Sequence, residues 1–168
     1  MRYRLEEKDI LHHGIKRIAL EEIDDAFAHL DNPGDELDYA VHESRKCFKK
    51  VRGLLRLVRL EIGETVFKRE NVCYRDAGRL LSDLRDSRVM IETLNQFGEA
   101  DYETIDRQAF EAIKEALEDN YAVTRQGVVQ EKQGLDEASL MIHAARERVA
   151  DWPIEDDSYA AVAGGLRK

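Results

Sequence analysis

The sequence predicts an all-α protein, and three observations carry that reading. The chain of 168 residues has only 2 Pro, and 36% of its residues are charged, a composition that suits long helices better than a sandwich or barrel. Apolar residues recur every three to four positions over several long segments. Breakers separate those segments: Asp31-Asn32-Pro33-Gly34, Gly63, Gly98, Gly134 and Trp152-Pro153. The architecture expected is an antiparallel four-helix bundle with an additional C-terminal helix, as one domain over residues 1–168.

The first helix is expected from near Glu6 to the Asp31–Gly34 breaker, with Ile15, Ile18, Leu20, Ile23, Phe27 and Leu30 on its apolar side. The second starts around Asp35 to Asp38, either of which suits the positive end of the helix dipole as a cap, and runs to about Glu61 before Gly63. A third is expected over Lys68–Asn95. Cys73, Ala77, Leu80, Leu81, Leu84, Ile91 and Leu94 form its apolar face, with Lys68, Asn71, Arg75, Arg79 and Ser82 opposite. The fourth begins after Asp101 with Thr104 as cap, carries Ile105, Phe110, Ile113, Leu117, Tyr121 and Val128, and reaches about Lys132. The fifth, Asp136 to Ala150, uses Leu140, Ile142, Ala145 and Val149; the tail from Ser158 to Lys168 is long enough for one more short helix.

Several classes fall away on composition. No run of about 18 apolar residues is present, so no membrane span is expected. The N-terminal MRYRLEEKDI lacks the apolar centre of a signal peptide, and a cytoplasmic location is the expectation. Cys47 and Cys73 both project to apolar sides and read as small hydrophobes rather than a disulfide. No CxxC pair or His/Cys cluster suggests a metal site, and no cofactor is implied.

Charge is the most informative feature. The chain is acidic overall, with 35 Asp and Glu against 26 Lys and Arg. Yet residues 42–88 hold 13 Lys and Arg against 7 Asp and Glu. The stretch HESRKCFKKVRGLLRLVR, His42 to Arg59, has seven cations and one acid, Glu43. At about 100° per residue, His42, Arg45, Lys46, Lys49, Arg52, Arg56 and Arg59 fall on one side. Cys47, Phe48, Val51, Leu54, Leu55, Val58 and Ile62 fall on the other, and Lys50 sits at the edge. The third helix repeats the arrangement, so two neighbouring helices could border one cationic groove. Such local charge costs self-repulsion and usually has an anionic partner. Arginine's planar fork grips phosphate oxygens in pairs. Against this stands the plainer reading, in which a charged helix stripe is only a solvated face; Arg85-Asp86 then serve an internal ion pair, and Arg88 snorkels or bridges to an acidic helix.

The run AVHESRKCFKKVRGLLRLVR, followed by RENVCYRDAGRLLSDLRD, resembles the first half of a CHAD domain, the conserved histidine α-helical domain. The resemblance rests on His42-x-x-Arg45-Lys46, then Lys49, Lys50 and Arg52, and in the next helix on Glu70-Asn71, Arg75-Asp76, Leu80-Leu81 and Leu84-Arg85-Asp86. It implies a helical fold whose basic surface binds inorganic polyphosphate or a similar polyanion. The residues it assigns are His42, Arg45, Lys46, Lys49, Arg52, Arg56, Asn71, Arg75 and Arg79. Family members often carry two such bundles, whereas no second His-x-x-Arg-Lys motif occurs in this chain. His143 heads AARER but lacks the basic run after it. Two readings follow: a shortened chain, or a half-length member whose groove is completed in a homodimer.

A non-catalytic polyanion-binding module is therefore the leading expectation. A phosphoanhydride hydrolase is the first alternative, because some CHAD domains are joined to CYTH-type triphosphate hydrolases. The Glu-x-Glu-x-Lys signature of that type and a GxxxxGK[ST] loop are both absent, and Glu70, Asp76 and Asp86 are the carboxylates near the stripes. Nucleic-acid binding through phosphates alone is the next, disfavoured by the few aromatic residues within the stripe. A purely structural bundle is the last.

Overall fold

The computed structural model describes residues 3–7, 9–31, 33–100, 106–131, 134–155, 157–158 and 160–166, with the backbone alone described at 99, 100, 131, 160, 164 and 166. Seven α-helices follow one another among them: α1 (Leu11–Leu30), α2 (Leu37–Leu57), α3 (Arg59–Leu80), α4 (Ser82–Ala100), α5 (Arg107–Glu131), α6 (Leu135–Arg148) and α7 (Ala160–Leu166). Two 3₁₀ turns, Gly34–Glu36 and Val149–Asp151, join them in places, and no strand occurs among the described residues. None of the described helices is long and apolar enough to cross a membrane.

The bundle consists of α1, α2, α3 and α6, each packed on its neighbours in a ring. Its centre is Ile15, Ile18, Ile23, Val51, Leu55, Val58, Ala77, Ile142 and Val149, all at most 3% exposed. The helix expected fourth, α5, packs instead on α4 as a hairpin beside the bundle. None of its described side chains is buried, and α6, shorter but rich in small buried residues, takes the fourth bundle place. Leu140, expected on the apolar side, is 72% exposed; Leu135, Ala138, Ile142 and Ala145 form the inner face of α6. Small residues there let α6 approach α1 and α3 closely, a role that hydrophobicity alone does not reveal.

Several helix boundaries differ from expectation for local reasons. The first helix starts at Leu11 rather than near Glu6. Asp9 explains the delay, its carboxylate accepting from the Glu6 backbone N–H (2.8 Å) and from Arg17 (2.5 Å). Neither Asp35 nor Asp38 caps α2 through its side chain. Asp35 lies in the 3₁₀ turn, and Asp38 accepts a hydrogen bond from the Tyr121 hydroxyl of α5. Gly63 breaks the path as expected, at φ 74° and ψ 161°, a conformation open to glycine and strained for other residues. The continuous helix expected over Lys68–Asn95 is split at Leu81, where no Gly or Pro marks the turn and Ser82 Oγ donates to Arg79 O at 2.7 Å. Leu81 and Leu84 are both buried across this bend, so apolar packing redirects the chain there. Thr104 and Ile105 lie outside the described residues; Asp106 Oδ1 accepts from the N–H groups of Gln108 and Ala109 at the start of α5.

Buried polar pairs tie the bundle together. Glu22 of α1 is fully buried, and Lys50 Nζ of α2 donates to both its carboxylate oxygens at 3.0 Å. Glu70 of α3, equally buried, receives Arg148 of α6 through Nε (2.8 Å) and Nη2 (2.9 Å), with Arg69 Nε at 2.7 Å. Cys47 and Cys73 are free thiols, and burial pushes both up from the ordinary thiol value. At the end of the chain α7 lies on α2 and α3. A Cβ at Gly165 would stand 2.4 Å from Leu57 O and 2.7 Å from Arg56 O, contacts that backbone cannot yield. Gly165→Ala is therefore expected to lift α7 from the bundle at a cost of about 1–3 kcal/mol. Hydrogen exchange checks this: amides of residues 160–166 should lose protection while those of α1 keep theirs.

Candidate functional site

The antiparallel pair α2–α3 is held in register by apolar contacts beneath and polar contacts above. Phe48 and Tyr74 are 2% and 1% exposed, their rings 6.4 Å apart. Above that floor lies a shallow cleft of about 180 Å³, lined by Arg45, Lys49 and Arg52 of α2, Arg75, Gly78 and Arg79 of α3, and Ser82 at the start of α4. The helical period explains the set. Positions 45, 49 and 52 of one helix and 75, 78 and 79 of the other each follow a three-to-four spacing, so each group forms one strip facing the other.

Two polar contacts fix the width of the cleft. Arg45 Nη1 donates to Gly78 O at 3.0 Å, crossing from α2 to the α3 backbone. Arg52 Nε donates to Asn71 Oδ1 at 2.9 Å, which orients its guanidinium and leaves both Nη groups without an acceptor among the described residues. Burial, and then the neighbouring Arg56, Arg75 and Arg79, push Arg52 below the ordinary guanidinium value. Arg52 therefore stands in the combined field of three other guanidinium groups. The Asp76 carboxylate acts in the opposite direction, more weakly than the three guanidinium groups.

The remaining expected residues divide. Arg56 lies outside the lining, one turn beyond Arg52, where it is exposed and adds to the field at Arg52; neither it nor Lys49 has an ion-pair partner among the described residues. His42 and Lys46 lie further toward the α2 N-terminus, outside the lining of the cleft. Lys46 donates to both Glu43 oxygens at 2.8 Å, and His42 Nε2 stands 3.8 Å from the same carboxylate. Asn71 serves Arg52 and is not itself in the lining. Lys50, at the edge of the stripe, turns away to Glu22.

Among the acids, Asp76 is chelated by Arg75 through Nε (2.8 Å) and Nη2 (3.1 Å), with Arg79 Nη1 at 3.5 Å. The Arg75 hydrogen bond holds the Asp76 carboxyl below the usual carboxylate range. Arg85 does not pair with its neighbour Asp86. It approaches Glu92 at 3.4 Å, and Asp86 stands 4.0 Å from Arg45. Arg88 bridges to Glu92 at 3.2 Å and covers the Tyr121 ring. Phe48, expected on the apolar side of α2, and Ser82, expected on the polar side of the third helix, both line the cleft, as do Tyr74 and Gly78, which the sequence reading did not single out. The buried period of α3 points to Tyr74, whereas the Gly78 carbonyl carries no side-chain signal at all. No group of three His, Cys, Asp or Glu placed to hold a metal occurs among the described residues.

The fold and this cleft define a class: an all-helical protein with a cluster of cations opened between two antiparallel helices. The CHAD domain family model matches residues 17–167. The chain belongs to the CHAD domain family, and the match extends over nearly its whole length rather than over the two helices that suggested it. Comparison with curated proteins and with solved structures gives no match.

Proposed function

We propose that this protein binds inorganic polyphosphate, or a polyanion of like charge spacing, without transforming it. The observation that carries the reading is Arg52, oriented by Asn71 with its outer nitrogens unoccupied and set among Arg56, Arg75 and Arg79. Four guanidinium groups gathered at one place repel one another, and an anion with several charges relieves all of them at once. Lys49 and Arg56 extend the row along α2, which at about 1.5 Å per residue suits an elongated ligand over a compact one.

The carboxylates weighed for a hydrolase favour the non-catalytic reading. Glu70 is buried between Arg148 and Arg69, Asp76 is held by Arg75, and Asp86 is exposed beside Arg45. Buried Phe48 and Tyr74 form the floor and present no face for a base to stack on, which favours a ligand of bare phosphates over single-stranded nucleic acid.

Titration with long-chain polyphosphate at two salt concentrations tests the proposal. Neutralising about five charges predicts that affinity falls about a hundredfold between roughly 50 and 200 mM salt, by the counterion-release relation for single strands. A folded protein that does not bind at the lower salt, or that binds DNA with equal strength, overturns the reading.

A further inference from the structure

We propose that Asp76 is a resident counter-anion of the cleft, holding Arg75 and Arg79 until a polyanion anchored on Lys49, Arg52 and Arg56 displaces it. The inference rests on the polyphosphate reading above and deepens it by naming what the ligand must replace. Asp76 is the neighbour of Arg75 in the chain, and its two oxygens meet Nε and Nη2 of that fork side by side. This is the paired arrangement in which arginine receives a phosphate. Oxygen Oδ1 also lies 3.5 Å from Arg79 Nη1, so one carboxylate answers two of the cleft's four arginines. Among the described residues Lys49 and Arg56 have no such partner, and Arg52 bonds to the neutral Asn71.

Apart from Arg45, which the Gly78 carbonyl takes, these cations form two sets, an open one of Lys49, Arg52 and Arg56 on α2 and an occupied one of Arg75 and Arg79 on α3. Displacement is inexpensive, because the side chains of Asp76 and Arg75 are 36% and 38% exposed and solvent screens their attraction. It still discriminates among ligands. A small anion would have to compete with Asp76 for Arg75 using few charges of its own. A long one first gains the three open cations, after which replacement of the carboxylate becomes a step within the complex at high effective concentration. Asp76 is accordingly a specificity-determining residue rather than a contact to the bound ligand.

Asp76→Asn tests this, since asparagine keeps the shape and removes the charge. Affinities for tripolyphosphate and for long-chain polyphosphate are measured at low salt for the full chain, for Asp76→Asn, and for Glu115→Gln on the distant α5. The expected result is a gain of about three- to tenfold for Asp76→Asn, larger for tripolyphosphate than for the long chain. Glu115→Gln, with the same change in net charge, should gain less than about twofold. Equal gains in the two variants, no gain, or a larger gain for the long chain overturns the inference alone. Failure of the wild type and of Asp76→Asn to bind either ligand overturns the functional reading and this inference with it. Binding that appears only in Asp76→Asn overturns both, because the wild type then takes no polyanion that could displace Asp76.

Discussion

Replacing Lys49 and Arg52 together by alanine is expected to weaken binding of long-chain polyphosphate about a hundredfold at low salt. Each is an α2 cation that makes no ion pair among the described residues, so most of its interaction is available to a ligand. A charge-assisted hydrogen bond contributes roughly a factor of ten, and two such losses multiply where both cations touch one chain of phosphates. The double variant should also show a shallower dependence on salt, by about two charges' worth of slope. The single exchange Arg52→Lys separates fork from charge: it keeps the cation but loses the Asn71 bond that aims the guanidinium. Isothermal titration at several salt concentrations reads all three quantities. An affinity within about threefold of wild type for the double variant would place the ligand elsewhere.

The second large effect concerns stability. Lys50→Met is expected to cost about 3 kcal/mol, because it leaves the Glu22 carboxylate fully buried without its cation. Urea denaturation measures it, and the double variant Glu22→Leu/Lys50→Met should recover most of the loss, since apolar side chains can fill the site of a buried pair. Polyphosphate affinity of the single variant should change little at concentrations where it remains folded. A cost under about 1 kcal/mol for Lys50→Met would show that Glu22 reaches solvent or another donor. The comparison with Lys49→Ala is pointed: adjacent cations in one basic run are assigned to unrelated tasks, one to the core and one to the cleft.

Nothing in the local sequence separates the tasks of these two lysines. The helical wheel placed Lys50 at the edge of the stripe, which was correct as far as angle goes. Its partner is 28 residues earlier in the chain, and nothing local in the sequence connects the two. The Arg85–Asp86 pair failed in the same way. Adjacent residues on a helix point about 100° apart, and Glu92 is the acid that Arg85 reaches. Arg75–Asp76 does close between neighbours, because the long guanidinium bends back along the exposed surface. The break at Leu81 has no local signal in the sequence, because packing of Leu81 and Leu84, rather than a breaking residue, produces it.

What the sequence determined by itself is what local periodicity and composition control: an all-helical chain, the glycine turn at Gly63, the cation strips on α2 and α3, and the family those strips belong to. These follow from the three-to-four spacing of side chains along a single helix, which needs no knowledge of the rest of the molecule. Only the tertiary structure decided that α6 rather than α5 completes the bundle, that Lys50 and Glu70 serve buried pairs, and that the cleft's cations divide into open and occupied sets. Each of those outcomes depends on which surfaces meet across many residues of chain. Burial and pairing energies are settled by that meeting, and a pattern read along one helix does not contain it.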